Sequence, residues 1–158
     1  MFRDIQRKKQ ALSPEECAEI LKEARRGVLS VTGDDGYPYG MPLNHYYDGE
    51  TGTLWFHSGK TGHKIDALRR SDKASFCVMD EGVKNPGEWW LTFRSVVVFG
   101  RIRFLDDYDR AVEISRRLSL LFTDDEAYIE REIEQSGPSV LVFALEPEHI
   151  TGKRVSER

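Results

Sequence analysis

Residues 55–66 read WFHSGKTGHKID and hold the chain's most concentrated chemistry. A hydrophobic strand ends in His57-Ser58, Gly59-Lys60-Thr61-Gly62 turns the chain, and a helix opens with a second lysine, Lys64. Such a segment gathers hydroxyls from Ser58 and Thr61, two ammonium groups and the free backbone N–H groups of a helix start. A bound phosphate needs that set of groups. The same composition also fits a surface loop whose lysines are solvated, and composition alone leaves both open.

Gly59-Lys60-Thr61 resembles the end of a P-loop, but that motif requires glycine where Leu54 stands in mid-strand. Its strands are also hairpin-linked rather than joined by crossover helices. His57 shares a strand face with Trp55, opposite Phe56. It is either a rim histidine with a satisfied hydrogen bond or a residue that contacts ligand and handles protons. His45, His57, His63 and Cys77 lack the spacing of a metal site. Asn44 follows Pro42-Leu43, where a missing donor leaves backbone groups free. Trp89 and Trp90 are expected on opposite faces of a strand, one in the core and one at an interface. No acid/base carboxylate pair is evident. No Gly-rich dinucleotide fingerprint exists either, so NAD(P)H would bind only transiently, against another cofactor.

The elements that must position this turn lie in a chain of 158 residues, 39% hydrophobic and 32% charged, enough for one domain with a sizeable core. A net charge of −4 and the lack of a basic run beyond Arg7-Lys8-Lys9 argue against nucleic acid. No apolar run is long enough for a membrane span, and MFRDIQRKKQ lacks a signal-peptide core. A cytoplasmic protein is expected. Cys17 and Cys77 read as small buried hydrophobes.

Ser13-Pro14-Glu15-Glu16 is a capping box that starts a helix, with Cys17, Ile20, Leu21 and Ala24 inward and Gly27 at its end. Val28–Thr32 is a strand and Gly33–Gly36 a hairpin turn. Tyr37–Tyr47 is a return strand with two prolines, so it lies at an edge or bends away from its neighbour. Thr53–Ser58, Lys73–Asp80 and Trp89–Leu105 follow as strands. The last of these carries SVVVFG, with Val96 and Val98 on one face and Val97 and Phe99 on the other. A strand apolar on both faces needs a second cover, a partner subunit or a ligand. Asp106 or Asp107 caps a helix over Tyr108–Leu121. Thr123-x-x-Glu126 reads as a second capping box, and Val140–Leu145 is the last strand. The fold class is α+β: a six-stranded antiparallel, Greek-key split β-barrel with peripheral helices. Residues 1–12 form an arm, 13–150 the domain and 151–158 a tail.

Three stretches taken in order resemble a known family: GVLSVTGDDGYPYGMPLNHYYD, GTLWFHSGKTGHKIDALRRSDKASFCV and FRSVVVFGRIRFL. Together with Ile150-Thr151-Gly152-Lys153, they look like the FMN-binding split-barrel proteins related to pyridoxamine 5'-phosphate oxidase. The nearest branch is the nitroimidazole-resistance (Nim-type) one. The resemblance implies a homodimer with FMN at the subunit interface. It implies that Ser58, Lys60, Thr61, Gly62 and Lys64 hold the FMN phosphate. Met41, Pro42, Leu43 and Asn44 would lie along the isoalloxazine edge, and Arg94 and Ser95 would come from the partner. It gives His57 a place facing flavin and substrate, with a tentative catalytic role. The implied activity is FMN-dependent reduction of a small flat molecule, nitroaromatics among the candidates. A flavin carrier or sensor without turnover, or a barrel using F420 or haem, are the alternatives. The tail KRVSER lacks the Arg/Trp-bearing segment of true pyridoxamine phosphate oxidases, so vitamin B6 activity is not implied.

Overall fold

The computed structural model describes residues 1–158. Helix α1 (Pro14–Glu23) starts on the expected capping box: the Ser13 hydroxyl accepts from Glu16 N–H, and the Glu16 carboxylate accepts from Ser13 N–H. The helix ends at Glu23, before Gly27. Gly27 lies instead inside β1 (Arg26–Thr32), where a side chain would run into Phe76 and the Cys77 carbonyl. That glycine serves close strand packing rather than helix termination.

The hairpin turn leads into β2 (Pro38–Asn44), which is the outermost strand, as its prolines require. The expected return strand is in fact two. The chain breaks at His45, whose N–H turns to Arg25 O, and continues as β3 (Tyr46–Asp48) paired with β4 (Thr53–Gly59). This break makes seven strands rather than six. Helix α2 (His63–Arg70) and β5 (Lys73–Met79) follow. Strand β6 spans Thr92–Phe104, so Trp89 and Trp90 lie in the preceding loop, edge to face, with Trp89 exposed. Their expected placement on opposite strand faces does not hold.

Helix α3 (Tyr108–Ser119) is capped by Asp107, whose carboxylate accepts from Arg110 N–H. Helix α4 (Glu126–Ser136) is capped by Asp125 accepting from Tyr128 N–H, not by Thr123. The Thr123 hydroxyl instead accepts from Asp125 N–H and holds the cap in place. The last strand, β7, runs Val140–Ser156, far past Leu145. Pro147 falls opposite Gly100 at a register shift in the β6–β7 ladder. A bulge is where a ladder tolerates a residue without an N–H.

All strands join one antiparallel sheet in the order β2-β1-β5-β6-β7-β4-β3. The sheet curls until β2 approaches β4, forming a half-barrel. Its inner face carries Leu29, Phe56, Phe76, Val96, Val98 and Phe143, packed with Cys17, Ile20 and Leu21 of α1 and Ile65 and Leu68 of α2. On the outer side of β4 and β7, α3 buries Ile114 against Trp55, Val142 and Ala144. Those two strands are therefore covered on both faces, which explains their unbroken apolar runs.

The outer side of the remaining strands carries no helix, and Phe2 of the N-terminal segment covers part of it by packing on Phe99 and stacking on His149. One register row there is Val28–Cys77–Val97–Thr151, and the next is Ser30–Ser75–Phe99–His149. Cys17 is buried as expected, but Cys77 is only half-buried on this outer face. No helix is long and apolar enough to cross a membrane.

Candidate functional site

Strand β4 fixes the turn. Leu54 and Phe56 anchor its inner face in the core, Trp55 anchors the outer face under α3, and the strand then runs free at Ser58-Gly59. Gly62 bends the chain into α2 with φ 121°, a value side chains rarely adopt, although nothing within 4 Å would obstruct one. Its glycine is thus required by backbone geometry. Helix α1 and helices α3 and α4 have side-chain caps, whereas α2 has none. Its first N–H groups face outward without a side-chain acceptor, at the positive end of the helix.

The charges around this end are unbalanced. Lys60 is exposed and Lys64 half-buried, and neither pairs with a carboxylate. Burial lowers the pKa of Lys64. Burial, and after it the charge of Lys64, lowers the pKa of His57. His57 is exposed, has no hydrogen-bond partner of its own, and its lowered pKa leaves it neutral at pH 7. The Ser58 hydroxyl donates to Gly59 O at 2.9 Å. His63 is taken up elsewhere: it stacks on Tyr39 at 4.1 Å between ring centroids and lies 3.7 Å from Asp34. His45 is buried in the core, 2.7 Å from Leu21 O.

A phosphate fits this turn on three counts. The helix start lacks a cap, Lys64 is a partly desolvated cation without a counter-charge, and the turn has open space over Gly59 and Gly62. Met41, Pro42, Leu43 and Asn44 run along the free edge of β2. Past the break at His45, β2 comes into contact with β4, the strand that ends in the turn. Met41 points into the core, so it meets this gap only through its backbone. The β2 edge and the turn thus converge.

Arg94 and Ser95 do not join them within one chain. Arg94 pairs with Arg154 of β7 and Ser95 with Lys153, whereas Gly59 pairs with Val140, at the other end of that strand. The separation is about 45 Å of strand contour. The Arg94 guanidinium binds Asp80 at 2.9 Å and lies 4.0 Å from Glu23.

The structure also shows residues that sequence reasoning passed over. His57 lines a cavity of about 270 Å³ on the outer side of β4, walled by α3 and α4. Tyr108, Ser115, Tyr128 and Glu132 line it as well. Ser115, set in an otherwise apolar helix stripe, was the one legible signal.

The profile of a family described as pyridoxamine 5'-phosphate oxidase matches residues 13–154. No curated protein matches the sequence. Among solved structures, a candidate 5-nitroimidazole antibiotic resistance protein from Bacteroides thetaiotaomicron superposes with TM-score 0.78 at 20% identity, over 92% of this chain and 87% of that one. An FAD-binding protein from Mesorhizobium loti gives TM-score 0.70 at 25% identity, covering 93% and 98%. An FAD-binding protein from Mycobacterium smegmatis gives 0.67 at 21%, covering 94% and 99%. The profile takes in every strand of the half-barrel and the uncapped turn between β4 and α2, and on that match the chain belongs to the pyridoxamine 5'-phosphate oxidase family.

Proposed function

We propose that this protein is a flavin-dependent oxidoreductase that holds FMN at the β4–α2 turn and reduces a small, flat molecule. The observation that carries it is the uncapped start of α2 beside Lys64, a partly buried ammonium without a counter-charge. Ser58, Lys60, Thr61, Gly62 and Lys64 would bind the phosphate, with Lys64 supplying charge and Gly62 the backbone approach. The β2 edge from Met41 to Asn44 would lie along the ring. When bound, flavin accepts a hydride and passes electrons on, and that chemistry belongs to the cofactor. His57, neutral and unpartnered, would hold or donate a proton beside the ring.

The proposal includes a homodimer. Val28, Met79 and Phe99 are exposed on the outer face, a surface that a second copy would cover. A second copy is also the route by which Arg94 and Ser95 can reach a turn from which their own strand carries them away.

The purified protein should be yellow or become so with FMN. Competition with FAD, F420 and haem then identifies the cofactor. A colourless protein that neither flavin reconstitutes overturns the proposal. Reduction of the bound flavin by NADH or NADPH in stopped-flow supports turnover, and a flavin that is never reduced points to a carrier.

A further inference from the structure

Helix α4 is held by α3 and by the short turn before β7 rather than by the sheet. A bidentate pair between Arg116 and Glu130 fastens the two helices. Only Ile129 of α4 is fully buried. The helix therefore stands off from β4 and β7 and leaves the cavity beneath it. Its floor is apolar, with Val142 buried and Val140 half-buried.

The polar groups around that floor are unspent. His57, the Ser115 hydroxyl, the Tyr108 and Tyr128 hydroxyls and the Glu132 carboxylate line the cavity without a side-chain hydrogen bond or ion pair. The arginines of α3 are engaged elsewhere, Arg110 and Arg117 with Glu113 and Arg116 with Glu130, and the one cation against the lining is Arg131 of α4, 5.9 Å from the Tyr128 ring centroid. The lining therefore contains one carboxylate, no lysine or arginine, and a histidine held neutral. A volume of about 270 Å³ sits at the small end of ligand sites, room for one or two fused rings.

We propose that this cavity binds a small planar ring bearing a cationic or strongly N–H-donating group, with that group on Glu132 and the ring between Tyr108 and Tyr128 over Val140. His57 closes the end nearest the phosphate turn. Calling the ligand a substrate rests on the flavin proposal, whereas the chemistry of the cavity does not.

Benzamidine and benzoate are near-isosteric probes of opposite charge. Calorimetric titration of the full-length protein, with and without FMN, should show benzamidine binding about fivefold more tightly than benzoate, the scale of one partly exposed ion pair. Glu132→Gln should abolish that preference while leaving FMN binding unchanged. Ser115→Phe should block both probes. Independently of that variant's folding, the His57 ring resonances are followed in the unsubstituted protein and should move on adding benzamidine. Equal binding of the two probes, a still histidine signal, or competitive displacement of benzamidine by FMN overturns the proposal. Benzamidine binding in a protein that takes no flavin sustains it and sinks the flavin reading alone.

Discussion

The ammonium of Lys64 adds its charge to the burial that already holds His57 below the ordinary histidine range. The two residues flank one turn, His57 at the end of β4 and Lys64 in the first turn of α2. An anion bound at the turn cancels part of that charge. Inorganic phosphate is the cleanest probe because it brings no ring to bury the imidazole further. It should raise the His57 pKa, and by linkage the histidine favours phosphate binding as pH falls through that range, against the opposing loss as the phosphate dianion itself takes up a proton. Histidine resonances titrated with and without phosphate check this, and an unchanged or lowered His57 pKa removes the turn as an anion site.

Lys64→Ala should weaken FMN binding by about ten- to a hundredfold, the worth of one charge-assisted hydrogen bond. Lys60 is more exposed, so Lys60→Ala should cost less. Lys153 lies on the outer face of β7 opposite Ser95, far from the turn of its own chain, and Lys153→Ala should have a smaller effect than Lys64→Ala. Fluorescence quenching on flavin titration reads all three. Equal losses for Lys64 and Lys153 would count against the phosphate assignment.

Gly62 and Gly59 make a paired test of the turn's backbone. Neither has a neighbour that a methyl group would strike, but only Gly62 has a positive φ, at 121°. Gly62→Ala should destabilise the fold by about 1–3 kcal/mol and loosen flavin binding with it. Gly59→Ala should leave both nearly unchanged. Denaturant midpoints separate the strain from any direct loss of contact.

The elements that carry this turn were legible because local chemistry dictates them. The Ser13 capping box, the Pro38 and Pro42 edge strand and the opposed faces around Val96–Phe99 each follow from neighbours in sequence. What sequence concealed depended on partners across the sheet. Strand β7 reads as ending at Leu145, yet Gly100 opposite Pro147 allows the bulge that absorbs its missing donor. The break at His45 is set by Arg25 O and the core, neither of which strand periodicity reveals. Cap choice at α4 turned on two acceptors two residues apart, Thr123 and Asp125, which composition ranks alike. For the candidate site the turn was local and readable. The convergence of β2 with β4 needs the curl of the sheet, and the cavity under α4 needs the stand-off of that helix.

His45 should make the fold acid-labile. Its Nε2 lies 2.7 Å from the Leu21 carbonyl, which can only accept, so Nε2 carries the hydrogen. That leaves Nδ1 as a bare acceptor, buried without a partner, beside the ring of Phe76. Burial lowers the pKa of this imidazole, and its bond to Leu21 O offsets only part of the shift. The folded state thus binds a proton less readily than the unfolded chain. Stability conferred by neutral His45 is complete above the unfolded value of about 6.5 and falls as pH drops from there toward the folded pKa. Urea midpoints should decline between neutral pH and about pH 5, and His45→Gln, which keeps a donor for Leu21 O but cannot titrate, should flatten that decline. An equally steep decline in the glutamine variant would place the acid sensitivity elsewhere.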